Sequence, residues 1–321
     1  MSEEQSMQQI ILDTANKIFT DLCDKALLDA AEAGEFSETL WGQVAATGFN
    51  QLGSKDSGTG ATELFAFISI AGRYAVPLPL AETLLVNRWC GAGDGVYSIG
   101  LVENGEITDV PWGRRADKVV GVTPGSNQIC IVDDVQVANA SVNLAGEPRD
   151  TITIPAGSDT LELDVDPFAQ LALARANGMA GALEALLDLG IQFATERQQF
   201  GRAISKFQAI QHILAVVAAE TAAARRAADS AVDGLGTDRF EVEVAAAKSR
   251  VGESVTVVAE QVHQVHGAMG FTHEHRLHHF SRRAWAWRDE YGNEVFWQRK
   301  LGAHIAGLGA DQAWGFIATR G

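Results

Sequence analysis

The sequence has 321 residues, of which 46% are hydrophobic and seven are tryptophan, as is typical of a folded globular protein. Its net charge of −16 lies in one half: residues 1–170 hold 25 acidic and 9 basic side chains, and residues 171–321 hold 16 of each. This balance excludes a basic nucleic-acid-binding face, and no apolar run approaches the roughly 18 residues that span a membrane.

The cysteines and the first nine residues indicate the cellular compartment in which the protein is expected. Cys23, Cys90 and Cys130 are scattered and form no Cys-x-x-Cys pair, which favours a reducing environment without disulfides or a zinc site. Residues 1–9 are polar and lack the basic region and apolar stretch of a signal peptide. We therefore expect a cytoplasmic protein.

Residues 1–90 have a helical pattern and form the first predicted domain. Ile11, Ala15 and Ile18 recur near helical spacing. Thr62 is placed to cap the helix that carries the apolar residues 64–71. The Val76-Pro77-Leu78-Pro79 segment then ends this helix, because proline lacks a backbone donor and restricts the residue before it.

Residues 91–165 form the second predicted domain, a small antiparallel β-domain of about five to seven strands. Four short segments in it are rich in β-branched residues and bounded by Gly, Asn, Asp or Pro, which is typical of strands. These segments are 96–102, 118–122, 129–132 and 160–165. The intervening Pro155 to Asp159 segment is predicted to be a turn.

Residues 166–321 return to helical spacing and form the third predicted domain. A helix is expected from about Pro167, and further helices are expected to end near Gly234 and Gly267. Long amphipathic helices with short connections predict an up-down four-helix bundle. The predicted fold class is mainly α with a small β-domain: an N-terminal helical domain, a reduced middle β-barrel or sheet, and a C-terminal four-helix bundle.

Two segments in the third domain resemble signatures of the acyl-CoA dehydrogenase family. The first is Glu196 to Gly201 (ERQQFG), followed by Phe207-Gln208, and the second is Gln264 to Thr272 (QVHGAMGFT). The segments 41–49 and 71–79 resemble earlier, less specific parts of the family pattern. The three-domain order is also that of the family.

This resemblance implies an FAD cofactor, which in the family touches these segments from a neighbouring subunit. Arginine suits a dinucleotide pyrophosphate because its planar fork donates two parallel hydrogen bonds and keeps its charge. Phenylalanines suit the flat adenine end, glutamines offer amide hydrogen bonds, and a glycine lets backbone approach the cofactor. The expected cofactor-binding residues are Arg197, Phe200, Phe207, Gln208, Gln264, Val265, His266, Gly267 and Ala268. In the alternative interpretation, Arg197 pairs with a surface carboxylate and the glycines only end helices.

The catalytic base of the family is a carboxylate that removes the α-proton of an acyl-CoA thioester. The resemblance places Tyr291 at the commonest base position and Leu171 at the second one, so the catalytic residue is unknown. Glu290 and Glu294 flank Tyr291, and Glu290 is the leading candidate. The family's Thr-Glu-Pro stretch, which approaches the flavin, is also missing from the β-domain.

These differences from the family pattern indicate a subunit resembling the short chains of bacterial heterotetrameric acyl-CoA dehydrogenases that act on steroid side chains. In this hypothesis the chain supplies cofactor contacts to a related catalytic subunit, with an acyl-CoA substrate and an electron-transfer flavoprotein as acceptor. One alternative is a self-sufficient homo-oligomeric dehydrogenase that uses Glu290 or Glu294 as base. Another is a non-enzymatic scaffold of the same fold.

Histidines and arginines cluster in residues 263–288. His275 and His279 are four apart and are expected on one helix face, but no recognised spacing of ligands completes a metal site. We therefore predict no metal. The arginines of residues 276–288 indicate an anionic ligand, an acidic partner surface or a solvated helix face.

Overall fold

A computed structural model of the chain describes residues 3–91 and 93–319. Its N-terminal region is helical. The helices are α1 (Glu3–Leu22), α2 (Lys25–Glu32), α3 (Glu38–Ala46), α4 (Ala61–Arg73) and α5 (Leu80–Cys90). Asp24 and Ser37 cap α2 and α3 by accepting hydrogen bonds from backbone N–H groups in the first turn. The predicted cap at Thr62 is wrong: α4 begins at Ala61, and the Glu63 carboxylate accepts the Gly60 N–H instead.

The middle region is a single sheet of seven strands within the described residues. Its strands are β1 (Tyr97–Glu103), β2 (Glu106–Pro111), β3 (Lys118–Val122), β4 (Gln128–Val132), β5 (Val137–Val142), β6 (Pro148–Thr153) and β7 (Asp159–Glu162). They lie in the order β5-β6-β2-β1-β3-β4-β7. Residues 155–158 form the predicted turn between β6 and β7, with Gly157 at a φ of 82°.

The prediction of a wholly antiparallel sheet is wrong at one pair of strands. β1 and β3 run parallel, with Tyr97 opposite Lys118. The cause is topological: β2 returns on one side of β1, and a short 3-10 helix at Gly113–Arg115 carries the chain back to the other side. β3 therefore enters the sheet from the same end as β1.

The C-terminal region is a helical bundle with a small hairpin at one end. Its helices are α6 (Pro167–Glu196), α7 (Gln208–Asp233), α8 (Phe240–His266), α9 (Leu277–Asp289), α10 (Glu294–Leu308) and α11 (Ala310–Thr319). The hairpin strands are β8 (Gln198–Gln199) and β9 (Arg202–Ala203). The predicted fold class, mainly α with a small β-domain between helical regions, is confirmed. Among the described residues, no helix has the length and apolarity to cross a membrane.

The three regions share one hydrophobic core. A continuous cluster of buried side chains joins Phe67 of α4, Val120 of β3, Leu171 of α6 and Val244 of α8. A second cluster fills the bundle between α6, α7, α8 and α9. The sheet and the N-terminal helices are therefore fixed against the bundle by shared apolar burial.

Helices α4 and α6 pack with almost no space between their backbones. A Cβ added to Gly181 would lie 1.9 Å from the Ser69 carbonyl oxygen, and one added to Gly72 would lie 2.0 Å from the Gly178 carbonyl oxygen. Glycine is required at these positions because any side chain would drive the two helices apart.

We expect Gly181→Ala to lower the free energy of unfolding by about 1–3 kcal/mol, because the added methyl group overpacks the contact between α4 and α6. The matched control is Gly42→Ala in α3, where an added Cβ meets no atom within 4 Å. That substitution should raise stability by up to about 1 kcal/mol through helix propensity. Urea unfolding of both variants measures the difference, and equal effects would contradict the packing argument.

Candidate functional site

An open groove of about 460 Å³ lies where α6, the β8–β9 hairpin, α7 and α8 meet. Eight of the nine residues predicted to bind a cofactor line it. They are Arg197, Phe200, Phe207, Gln264, Val265, His266, Gly267 and Ala268. The ninth, Gln208, is the exposed first residue of α7 and is not among the lining residues. The structure thus brings together two segments about 65 residues apart in the sequence, while their role in binding stays a prediction.

The hairpin places Phe200 at the edge of the groove. Phe200 and Gly201 both have positive φ, at 52° and 78°, as a tight two-residue turn between β8 and β9 requires. This conformation is rare for a bulky residue and costs on the order of 1 kcal/mol. The Phe200 ring is nevertheless 91% exposed and meets the Phe207 ring edge-on at 6.1 Å. An exposed aromatic ring on strained backbone is more typical of a binding surface than of a core.

Arg197 supplies the charge in the groove. It is exposed, and within residues 3–91 and 93–319 its guanidinium makes no ion pair. The alternative interpretation, in which Arg197 pairs with a surface carboxylate, therefore finds no carboxylate partner in the described part of the chain. Its charge remains available to an anion.

His266 forms the inner wall of the groove. Its Nδ1–H donates to the Val262 carbonyl oxygen at 2.8 Å, and its ring stacks on Phe193 at 4.4 Å. Burial lowers the pKa of His266, so the ring is neutral near pH 7. Its Nε2 is buried without a hydrogen-bond partner among the described residues. The next residue, Gly267, has open space where a Cβ would lie.

Sequence analysis did not predict five of the residues that line the groove: Phe193, Gln199, Ile204, Ile210 and Met269. Phe193 lies one helical turn before Arg197, so its spacing contained the signal. Gln199 and Met269 lie inside the two recognised segments. Ile204 and Ile210 lie beside the predicted Phe207 and belong to the apolar cluster behind the groove.

The two positions where the resemblance places a catalytic base are both buried. Tyr291 is buried, with its ring 6.4 Å from that of Phe168 and 5.3 Å from the Arg175 guanidinium. Leu171 is fully buried in the shared core. Gln170, beside it, accepts a hydrogen bond from the Trp89 indole at 3.2 Å.

Glu290 is held by two arginines. Arg149 donates to Oε1 of Glu290 at 2.8 Å, and Arg175 donates to Oε2. Burial by itself would raise the pKa of Glu290, but the two ion pairs outweigh it and lower that pKa to about 2. A carboxylate so strongly acidic and fully paired is a poor acceptor for a carbon-bound proton. Glu294, the other candidate, lies 3.5 Å from Arg288 in the first turn of α10.

Glu290 belongs to a chain of alternating buried and half-buried charges that we call the ion-pair chain. In spatial order it consists of Glu32, Arg283, Glu147, Arg149, Glu290, Arg175 and Glu82. Its members come from α2, α5, β6, α6, α9 and the loops next to β6 and α9. Arg283, fully buried and paired within the protein, is thus not part of a solvated helix face. The cavity beside Arg175 and Glu82 measures only about 40 Å³, room for a few water molecules at most.

Lys248 fixes the turn that follows Glu290. Its Nζ lies between 2.8 and 3.2 Å from four carbonyl oxygens, those of Trp287, Arg288, Glu290 and Gly292. The carbonyls of Trp287 and Arg288 lie in the last turn of α9, where the helix leaves them without internal donors, and those of Glu290 and Gly292 lie just after it. Lys248 therefore holds the turn that carries Tyr291 in a fixed position.

Comparison with known proteins relates the chain to one protein family. Residues 164–294 match the family described as acyl-CoA dehydrogenase, C-terminal domain. The acyl-CoA dehydrogenase IpdE2 of Mycobacterium tuberculosis is 25% identical over 304 residues, which cover 86% of this chain and 90% of that protein.

Two further similarities concern part of the chain and its fold. The glutaryl-CoA dehydrogenase of Desulfococcus multivorans is 33% identical over 155 residues, and the match spans only 37% of that enzyme and 48% of this chain. Among solved structures, the ChsE4–ChsE5 complex of Mycobacterium tuberculosis contains a chain with a TM-score of 0.84 and 20% identity. The match covers 97% of this chain and 99% of that one, so the fold is the same along nearly its whole length.

We expect Glu290→Gln to lower the free energy of unfolding by on the order of 3 kcal/mol at pH 7, because it removes a buried charge that neutralises Arg149 and Arg175. The pKa of Glu290 falls from an ordinary 4.5 to about 2 in the folded protein. Its contribution is therefore complete above about pH 4.5 and is lost as the pH falls toward 2. Urea unfolding at pH 7 and pH 3 should show a smaller difference between wild type and variant at the lower pH.

The control for this prediction is Glu294→Gln, the same substitution at the other flanking glutamate. Its single, longer pair with Arg288 should contribute no more than about 1 kcal/mol. A loss at Glu294 equal to that at Glu290, or a loss at Glu290 that does not change with pH, would contradict the assignment of the low pKa to Glu290.

Proposed function

We propose that the chain, which belongs to the acyl-CoA dehydrogenase family, is a partner subunit of an FAD-dependent acyl-CoA dehydrogenase. In this role it contributes cofactor contacts to a related chain that carries the catalytic base. The complete enzyme removes the α-proton of an acyl-CoA thioester and the β-hydrogen as hydride, which leaves a 2,3-double bond. The electrons then pass to an electron-transfer flavoprotein.

The observation that supports this proposal is the contrast between the open groove around Arg197 and the closed centre, by which we mean the region around Glu290 and Tyr291. Among the described residues, the groove around Arg197 holds a cation without an ion pair, the exposed ring of Phe200 and a histidine nitrogen without a hydrogen-bond partner. At the centre, Tyr291 is buried and Glu290 is neutralised by two arginines. A chain of this kind keeps contacts for a cofactor without a free base of its own.

The groove residues suit the adenosine diphosphate end of FAD. Arg197 would hold the pyrophosphate through charge-assisted hydrogen bonds. Phe200 and Phe207 would pack against the adenine ring, and Gln264 with the backbone near Gly267 would offer hydrogen bonds. When bound, FAD supplies the acceptor for the hydride. The orphaned Nε2 of His266 is a polar atom that a bound group can satisfy after a small shift.

Two alternatives have less support. A self-sufficient dehydrogenase would need Glu290 or Glu294 as base, and both are already paired with arginine. A non-enzymatic scaffold would not need to keep an arginine that lacks an ion pair within the described part of the chain and an exposed, strained phenylalanine, both facing one groove. The similarity to a chain of the ChsE4–ChsE5 complex also supports a role beside a second subunit.

The proposal predicts that the chain alone retains little flavin. Co-expression with a related chain that keeps the base should give a yellow complex with stoichiometric FAD. Because general base catalysis contributes about 10²–10⁴-fold, turnover of an acyl-CoA by the lone chain should fall below that of the complex by at least this factor. Flavin absorbance per chain and dye-coupled turnover measure both. Stoichiometric FAD and full turnover from the lone chain would contradict the proposal.

Within that complex, Arg197→Ala should weaken FAD retention by about 10- to 100-fold, because it removes a charge-assisted hydrogen-bond donor from the pyrophosphate. Arg197→Lys should recover part of the loss, since it keeps the charge but not the planar fork. The matched control is Arg226→Ala, an exposed arginine further along α7 and about 27 Å from its start at the groove. Equal retention by the two alanine variants would exclude Arg197 from the cofactor site.

A further inference from the structure

Three potential metal ligands converge between α2 and α9, away from the groove. Asp29 lies on α2, and His278 and His279 lie on α9. Each offers a ligand atom, and these atoms all lie within 4.8 Å of one another. We propose that Asp29, His278 and His279 bind one divalent transition-metal ion of the zinc class. This site does not depend on the proposed enzymatic role.

The tautomer of His279 is set by Glu32. Its Nδ1 lies 2.7 Å from Oε1 of Glu32, a carboxylate that Arg282 and Arg283 also contact. Both guanidinium groups donate hydrogen bonds to this carboxylate. A carboxylate that accepts from two guanidinium groups also accepts from Nδ1 of His279, so Nδ1 carries the proton and Nε2 is the nitrogen that can offer a lone pair to a metal ion. Metal-binding histidines are commonly oriented by such a carboxylate.

His278 has the same arrangement with a different acceptor. Its Nδ1 lies 2.8 Å from the carbonyl oxygen of His275, which can only accept a hydrogen bond. The Nε2 of His278 is therefore also the nitrogen with a free lone pair. His275 itself lies in the turn before α9, which begins at Leu277, so the prediction that His275 and His279 share a helix face is wrong.

The contact between His279 and Asp29 fits two ligands of one ion better than a hydrogen bond. Nε2 of His279 lies 3.1 Å from Oδ1 of Asp29. Despite this distance, Nε2 is buried and lacks a hydrogen bond of acceptable direction among the described residues. Two atoms bound at about 2.0–2.1 Å around a tetrahedral zinc ion lie about 3.3 Å apart. A cation between them would also remove the repulsion between a lone pair and a carboxylate oxygen.

The surrounding charges leave one carboxylate oxygen for the ion. Lys25 occupies Oδ2 of Asp29 at 2.5 Å, and Arg282 and Arg283 are directed to Glu32. Two imidazoles and one carboxylate favour zinc, cobalt or nickel over magnesium or calcium. The Asp29 side chain is 47% exposed, so a water molecule can complete the coordination. The ion would join α2 of the N-terminal region to α9 of the bundle.

The test uses the full-length chain, stripped with a chelator and titrated with Zn²⁺ by calorimetry and with Co²⁺ by visible absorbance. We expect one ion per chain, a tetrahedral Co²⁺ spectrum and a rise in the thermal midpoint. Asp29→Ala and His278→Gln should each weaken binding by at least about tenfold. Both variants leave the contacts of Glu32 with Arg282 and Arg283 intact, and matching thermal midpoints without metal would verify their fold.

Two controls make the result specific. Lys25→Ala removes the competitor for Asp29 and should leave binding unchanged or tighter. His304→Gln removes an exposed histidine of α10 and should leave binding unchanged. If no ion binds stoichiometrically, His279 only contacts Asp29 and Glu32, and the proposal fails. It also fails if Asp29→Ala and His278→Gln bind zinc as tightly as wild type, since the binding is then adventitious.

Discussion

The rest of the fold depends on the pairing of charges that the protein has removed from water. A buried arginine or glutamate is tolerated only with a partner at hydrogen-bond distance. Four of the six pairs in the ion-pair chain join different regions. Glu32–Arg283 and Glu82–Arg175 join the N-terminal helices to the bundle, and Glu147–Arg283 and Arg149–Glu290 join the sheet region to the bundle. Moving one region relative to another would leave uncompensated charges, so the three regions have one common arrangement.

This constraint divides the molecule into a closed centre and an open edge. At the centre, Glu290 is neutralised from two sides and Lys248 fixes the carbonyl groups around it. At the edge, Arg197 and Phe200 face a groove with no charge partner from the described residues. The described residues therefore combine an open groove that carries an arginine and an exposed phenylalanine with a centre whose carboxylates are paired with arginines.

Much of the fold was predictable because it depends on local periodicity. Val244, Val251 and Val255 mark α8 by spacing alone, and Pro167 marks the start of α6. β2, β5 and β6 were missed because they carry polar residues such as Asp109, Asn139 and Asp150, without an apolar run. The parallel pairing of β1 with β3 depends on which side of β1 the chain returns to, and no local pattern records it.

The candidate site was likewise only partly predictable from the sequence. The groove was found because its residues belong to two contiguous segments that resemble a family. The ion pairs of Glu290 were invisible because Arg149 and Arg175 lie 141 and 115 residues away in sequence. Asp29 is likewise distant from His278, so the spacing of the histidines alone argued against a metal. Chemistry assembled by tertiary contacts leaves no local signal.

The sequence distances within the ion-pair chain also bear on how the protein folds. Glu32 meets Arg283 across 251 residues, and Glu82 meets Arg175 across 93. Contacts of such high sequence separation carry a large loop-closure entropy and form late. During synthesis, the N-terminal helices can form but cannot neutralise Glu32 until α9 has emerged. We therefore expect the N-terminal helices to reach their final docked arrangement only after α9 has been made, in a late, cooperative step of folding.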